Sequence, residues 1–188
     1  YIYQAEWTDY REAPMIHVFP YWDFNEGQLV DVRVCSNAPK IELFLNGKSQ
    51  GCYEIDHKRG TQLLGHWKIP YVPGELMAAA YDGEGRIIAK ESRRSFGEAS
   101  RIVLRSNTAV IKGRELAFAE ISAEDECGNP VENASSRIHV KISGPGYLAG
   151  MDNGDSTDTD EYKTDSRRLF NGKLLAVIAA GGGEGQVV

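Results

Sequence analysis

Cysteine is scarce and odd in number: Cys35, Cys52 and Cys127 are the only three, and no C-x-x-C pair occurs. That pattern excludes a disulfide framework and a thiolate zinc knuckle. Cys35 and Cys52 can bridge only if their strands are neighbours, and single cysteines on strands are more often small buried hydrophobes. Histidine is equally thin. His17, His57, His66 and His139 are scattered along the chain, so each reads as a surface or strand-edge residue rather than a metal ligand. No apolar run approaches the ~18 residues that mark a membrane span, and no charged-then-apolar leader precedes a cleavage site. Basic residues are outnumbered 21 to 27, giving a net charge of -6 and a pI near 5.3. An acidic chain has no general attraction for phosphate backbones, which removes nucleic acid as a partner.

Helical periodicity is also nearly absent, and what fills the chain instead has period two. Met15–Phe19, Leu29–Cys35, Ile41–Asn46, Cys52–Ile55, His66–Ile69, Glu75–Tyr81 and Arg86–Lys90 alternate as strands do, with Asn37-Ala38-Pro39, Asn46-Gly47, Pro73-Gly74 and Asp82-Gly83 as turns between them. A second series follows: Arg101–Asn107, Glu115–Glu124, Arg137–Ser143 and Leu174–Ala180, separated by turns at Cys127-Gly128-Asn129-Pro130, Gly144-Pro145-Gly146 and Asn171-Gly172. Short strands at this spacing indicate an all-β chain. At roughly 100 residues per sandwich, 188 residues make two tandem immunoglobulin-like β-sandwich domains, 14–97 and 98–188, jointed around Phe96–Arg101. Residues 1–13 fit neither. Tyr3, Trp7 and Tyr10 stand at helix-like spacing, which reads as the remnant of a preceding element. The ending GGGEGQVV reads as a turn and the first residues of a strand, so the second sandwich is expected to lack part of its last strand.

The segment IELFLNGKSQG, Ile41 to Gly51, shows the logic of the turns. Ile41, Leu43 and Leu45 share one face of a strand, and Asn46-Gly47 supplies the two positive-φ residues of a two-residue type I′ hairpin.

Three phrases in order carry a resemblance: SNA-x-x-x-ELFLNGKS-x-G, W-x-I-P-Y-x-P-G-E-L and YDG-x-G, within residues 14–97. They resemble the β-sandwich that follows the catalytic barrel in bacterial glycoside hydrolase family 2 enzymes of the beta-galactosidase type. The later IVLRSN, LAFAEISAEDECGNPV, ISGPGYLAGMDNGD and RLFNGKLLAVI resemble that family's next, immunoglobulin-like C-terminal module. The opening YQAEWTD is similar to the tail of the barrel. Cys35 stands where a bulky aromatic is common in the pattern, and Cys52 where a polar residue is usual. The resemblance implies a parent that is a retaining glycosidase with two barrel glutamates about 5 Å apart. Nothing in this chain supplies the alternating strands and helices of a barrel, so no catalytic residue carries over. It further implies the catalytic barrel of the same parent chain as partner, carbohydrate substrate only indirectly, and, by analogy, a periplasmic or secreted location.

Two clusters remain as candidate chemistry. MDNGDSTDTDEYKTD holds Asp152, Asp155, Asp158 and Asp160, oxygen-rich as calcium demands, but the acidic order of an EF-hand loop is missing. A plain acidic loop is the competing reading, and no other cofactor is indicated. Tyr21, Trp22, Trp67 and Tyr71 are the rings that could stack on pyranose faces. Against that, Trp67 alternates with Ile69 and suits a sandwich core, and Tyr21-Trp22 beside Pro20 suits packing on the barrel. Function therefore reads as a non-catalytic accessory pair of domains in a family 2 glycosidase, with a carbohydrate-binding module as the alternative.

Overall fold

The period-two segments become antiparallel strands, and the faces that carry their branched residues become two separate cores. The computed structural model describes all 188 residues, and the chain divides into two units, Tyr1–Ser95 and Phe96–Val188.

In the first unit a short helix α1 (Ile2–Trp7) precedes seven strands: β1 (Ile16–Phe19), β2 (Leu29–Ser36), β3 (Lys40–Leu45), β4 (Lys48–Glu54), β5 (Leu64–Pro70), β6 (Glu75–Tyr81) and β7 (Ile87–Arg94). They form a three-stranded sheet, β1-β2-β5, and a four-stranded sheet, β4-β3-β6-β7. Register dictates what meets inside, because residues directly opposite on paired strands share a face. Val30 and Val32 of β2 stand opposite Ile69 and Trp67 of β5, while Ile41 and Leu43 of β3 stand opposite Ala80 and Ala78 of β6. All eight are buried in one core with Val18, Val34, Trp22 and Tyr71. Each large aliphatic in it contributes about 1.5–3 kcal/mol of transfer free energy. Gly65 makes room for the Trp67 indole, since a Cβ there would lie 2.4 Å from the ring. Tyr53 closes the other side of that indole edge-on, with centroids 4.8 Å apart. The helix is held by side chains: Asn37 Nδ2 donates to Thr8 Oγ1 (3.0 Å) and to the Ala13 carbonyl (2.9 Å), and the Tyr1 ring stacks on His17 at 3.5 Å.

Both residues of the Asn46-Gly47 turn have positive φ, 49° and 78°. The Asn46 side chain also reaches the next turn. Its Nδ2 donates to the Pro73 carbonyl (3.0 Å), its Oδ1 accepts from Glu75 N–H (2.8 Å), and it occupies the space a Cβ on Gly74 would need.

The second unit contains β8 (Arg101–Ser106), β9 (Leu116–Glu124), β10 (Arg137–His139), β11 (Gly146–Asp152), β12 (Ser166–Arg168) and β13 (Lys173–Ala180). Four strands make one sheet, β11-β13-β9-β8, and β10 pairs with β12 in a separate ribbon. Ala119, Ile121 and Ala123 of β9, Leu174 and Ala176 of β13, Met151, Leu169 and Val131 form the core between them.

Three features differ from the sequence reading. β11 and β12 were not expected, because Gly146, Gly150 and the two arginines of Ser166–Arg168 obscure their alternation. Regular pairing in β10 stops at His139, short of Ser143. Cys35 and Cys52 lie in different sheets and are free; Cys35 is buried as expected, but Cys52 is exposed because its face of the β4 edge strand looks outward. No helix is long and apolar enough to cross a membrane.

Candidate functional site

Of the four rings proposed to meet sugar, three lie inside the first unit. Trp22 is fully buried and donates its Nε1–H to the Val72 carbonyl at 3.1 Å; Trp67 and Tyr71 are 7% and 3% exposed. Trp22 and Tyr71 pack with centroids 5.1 Å apart, and Tyr71 Oη donates to Ser95 Oγ at 2.8 Å. Tyr21 is half-buried and stacks flat on Phe24, centroids 5.2 Å apart. A ring wedged among neighbours has no free face for a pyranose. The structure brings Trp22 and Tyr71 together as core, sets Trp67 in β5 of the same core, and leaves Tyr21 at its rim. Alternation with Ile69 was the signal for Trp67; for Trp22, between Tyr21 and Asp23, the sequence carried none.

The acidic stretch is a chain of capped turns. Asp152 Oδ1 accepts from Gly154 N–H (3.0 Å), Asp155 Oδ1 from Thr157 N–H (2.9 Å), and Asp158 Oδ1 from Asp160 N–H (2.8 Å). Asp158 Oδ2 accepts from Asn153 Nδ2 (2.7 Å) and Arg167 Nε (3.1 Å), and Asp160 pairs with Arg137 at 2.8 Å. The Asp160 N–H foremost, with Asn153 and Arg167 behind it, holds the Asp158 carboxyl below the usual carboxylate range. These carboxylates point to separate partners, and no group of three or more His, Cys, Asp or Glu side chains converges as a metal cage.

Arg167, only 1% exposed, is the residue the sequence reading missed. Its Nη1 donates to the Met151 carbonyl at 3.2 Å, and the Tyr162 ring covers its guanidinium at 4.7 Å. Period-two alternation with Leu169 was the available signal that this arginine faces inward. A buried guanidinium needs its charge matched, and Asp158 supplies that match.

Three carboxylates are buried: Asp82, Glu124 and Asp125. Burial alone would raise Asp82, but the Arg86 N–H (2.8 Å) and guanidinium (2.7 Å) outweigh it and keep the carboxyl low. Asp125 is held at about 2, first by the Gly97 N–H and next by the Asn129 side chain. Glu124 accepts from Arg101 at 2.6 Å and Arg105 at 3.2 Å across β8 and β9. Near the surface, Glu91 accepts from Val18 N–H (2.9 Å) and pairs with His17 (3.1 Å) and Arg93 (3.0 Å). Burial pushes the His17 imidazole below its ordinary value against the pull of Glu91. A general acid needs a carboxyl whose pKa is raised. The environments of Asp82 and Asp125 do the opposite.

Concave surface is limited. A groove of about 540 Å³ runs between His139–Ile142 and Gly146–Leu148 with Asp165 as its one acid, and a second of about 390 Å³, around Arg33, Gly60–Leu64 and His66, has none. Neither has the two facing carboxyls of a glycosidase centre.

Residues 101–188 match the model of the glycoside hydrolase family 2 C-terminal domain 5, and residues 27–89 match a domain of unknown function, DUF4982. Over 99% of its length the chain is 32% identical to the beta-galactosidase BoGH2A of Bacteroides ovatus, of which it spans 21%. A solved beta-glycosidase from Bacteroides vulgatus superposes with a TM-score of 0.88 at 30% identity, covering 99% of this chain and 24% of that one. A glycosyl hydrolase family 2 member from Bacteroides cellulosilyticus gives 0.84 at 25% identity, covering 100% and 27%. The chain thus spans between a fifth and about a quarter of these relatives. Its second unit matches a C-terminal domain of glycoside hydrolase family 2, and the chain as a whole is similar to part of family 2 members.

Proposed function

We propose that these two modules are the non-catalytic accessory part of a family 2 glycosidase of the beta-galactosidase type, whose catalytic barrel lies elsewhere on the same parent chain. The observation that carries this reading is the state of the buried acids. Retaining hydrolysis needs one carboxyl kept protonated and a second ionised beside it, about 5 Å away. Here Asp82, Glu124 and Asp125 each sit among donors of their own, in separate turns and ladders, so no two of them form that pair. The relatives' names supply the reaction class, and the chain's small share of their length leaves ample sequence for a catalytic domain. Burial of Trp22, Trp67 and Tyr71 weighs against the carbohydrate-binding alternative.

The test is turnover of aryl galactosides and aryl glucuronides. The isolated chain is expected to release aglycone no faster than buffer, while the parent hydrolyses at least one of them. Hydrolysis by the isolated chain that disappears when one of its own carboxylates is changed would overturn the reading.

A further inference from the structure

The outer face of the β1-β2-β5 sheet carries a local excess of positive charge on a chain whose net charge is -6. Val30, Val32 and Val34 of β2 point into the core, so Asp31 and Arg33 point out. The residues opposite them on β5 share that face: Lys68 stands against Asp31 and His66 against Arg33. A groove of about 390 Å³ lies between this face and the loop before β5, lined by Arg33, His66 and residues 60–64. Its volume is within the range of small-molecule sites, and no acid lines it.

The two carboxylates nearby are both engaged. Asp31 accepts from Arg33 Nη2 at 3.2 Å and from His66 Nε2 at 2.5 Å, which orients both side chains and uses one edge of each. The other guanidinium N–H groups of Arg33 and the Nδ1 of His66 have no partner in the chain. Asp56 is turned into its own loop, where it accepts from Arg59 N–H (3.0 Å) and Thr61 Oγ1 (2.9 Å). Lys58 and Arg59, directly before Gly60, and Lys68 are exposed and form no salt bridge. Even with His66 neutral, Arg33, Lys58, Arg59 and Lys68 therefore outweigh Asp31 and Asp56. Apolar surface flanks these cations. Leu63 and Leu64 are half-buried in the groove wall, and the half-buried Phe19 of β1 stands opposite Arg33.

A planar guanidinium with free N–H groups matches a carboxylate, which it can hold through two parallel hydrogen bonds. Apolar side chains beside it match the C–H face of a pyranose ring. We propose that this groove is a binding site for a uronate residue of an acidic glycan, with Arg33 on the sugar carboxylate, His66 and Lys68 beside it, and Leu63 and Leu64 against the ring. An acidic peptide shares the charge but lacks a rigid apolar ring face, and the overall negative charge of the chain repels a long polyanion such as nucleic acid. The site owes nothing to Trp22, Trp67 and Tyr71, whose faces are buried. It goes beyond the accessory reading above and is tested without turnover, so the two fail separately.

The test is an NMR titration of the chain, following backbone amides and the His66 ring, with a β-1,4-linked glucuronate tetrasaccharide and with cellotetraose, which carries a hydroxymethyl group in place of each carboxylate. In about 50 mM salt the glucuronate is expected to shift residues 60–66 saturably and to bind at least about tenfold more tightly than cellotetraose, an advantage that shrinks in about 500 mM salt. Arg33→Gln is expected to weaken binding at least about fivefold, and Lys68→Gln by less, both with the melting temperature unchanged because these side chains are exposed. Equal binding of the two tetrasaccharides would overturn the proposal, as would shifts confined to other residues or an affinity that Arg33→Gln leaves unaltered. Sodium sulfate or a tetraglutamate peptide binding as tightly as the glucuronate would mean unselective attraction of anions, and would equally overturn it.

Discussion

Asp125 shows how much one side chain can organise in a domain of this size. Its carboxylate accepts from Gly97 N–H at 2.9 Å, Asn129 N–H at 2.8 Å and Asn129 Nδ2 at 3.0 Å, tying the entry into the second unit to the turn after β9. With a folded pKa of about 2 against an ordinary value of 3.8, the ionised form is favoured by folding. Its stabilisation is therefore complete above about pH 4 and lost as pH falls toward 2. Asp125→Asn, which puts a donor where two donors already point, is expected to lower the melting temperature at pH 6 by several degrees. The gap between variant and wild type should close as pH approaches 2. A gap independent of pH, followed by circular dichroism, would mean that the charge contributes nothing and only shape matters.

At the scale of elements, the turns rather than the strands hold the specific chemistry. Asn46 combines a positive φ with two hydrogen bonds to the Pro73–Glu75 segment, so replacing Asn46-Gly47 by Ala-Ala removes both at once. The expected loss is about 1 kcal/mol from the backbone conformation and as much again from the hydrogen bonds, measured by urea unfolding. Asn46→Asp, which keeps the Oδ1 acceptor, should recover part of it. The acidic stretch from Asp152 to Asp160 is a second case, since its carboxylates are occupied by N–H groups and two arginines. Millimolar calcium is expected to leave the melting temperature where it was; a rise of several degrees would mean that these turns reorganise around the ion. Strand periodicity made most elements legible in advance: β6 was read at its observed bounds, and β9 and β13 to within one residue. β12 was hidden because its inward residue is an arginine, and hydrophobic alternation cannot see a charge neutralised by Asp158, nine residues earlier in the chain. β11 was hidden by glycines that admit the Tyr162 backbone and Val187 against the strand.

At the scale of the whole chain, each unit carries one core, and the fold class followed from period two and chain length. The sugar-facing reading of the aromatics rested on residue type alone, and burial is a tertiary property that type does not encode. Cys35 is fully buried on the face of β2 opposite to that of Val34, and burial pushes its thiol up, away from the reactive thiolate. Cys52 on β4 and Cys127 in the turn after β9 are both exposed, one in each unit. The chain therefore comes with one accessible attachment point per unit and needs no engineered cysteine: a maleimide donor–acceptor pair of fluorophores should load at two dyes per chain, making the unmodified protein its own ruler for the distance between its halves.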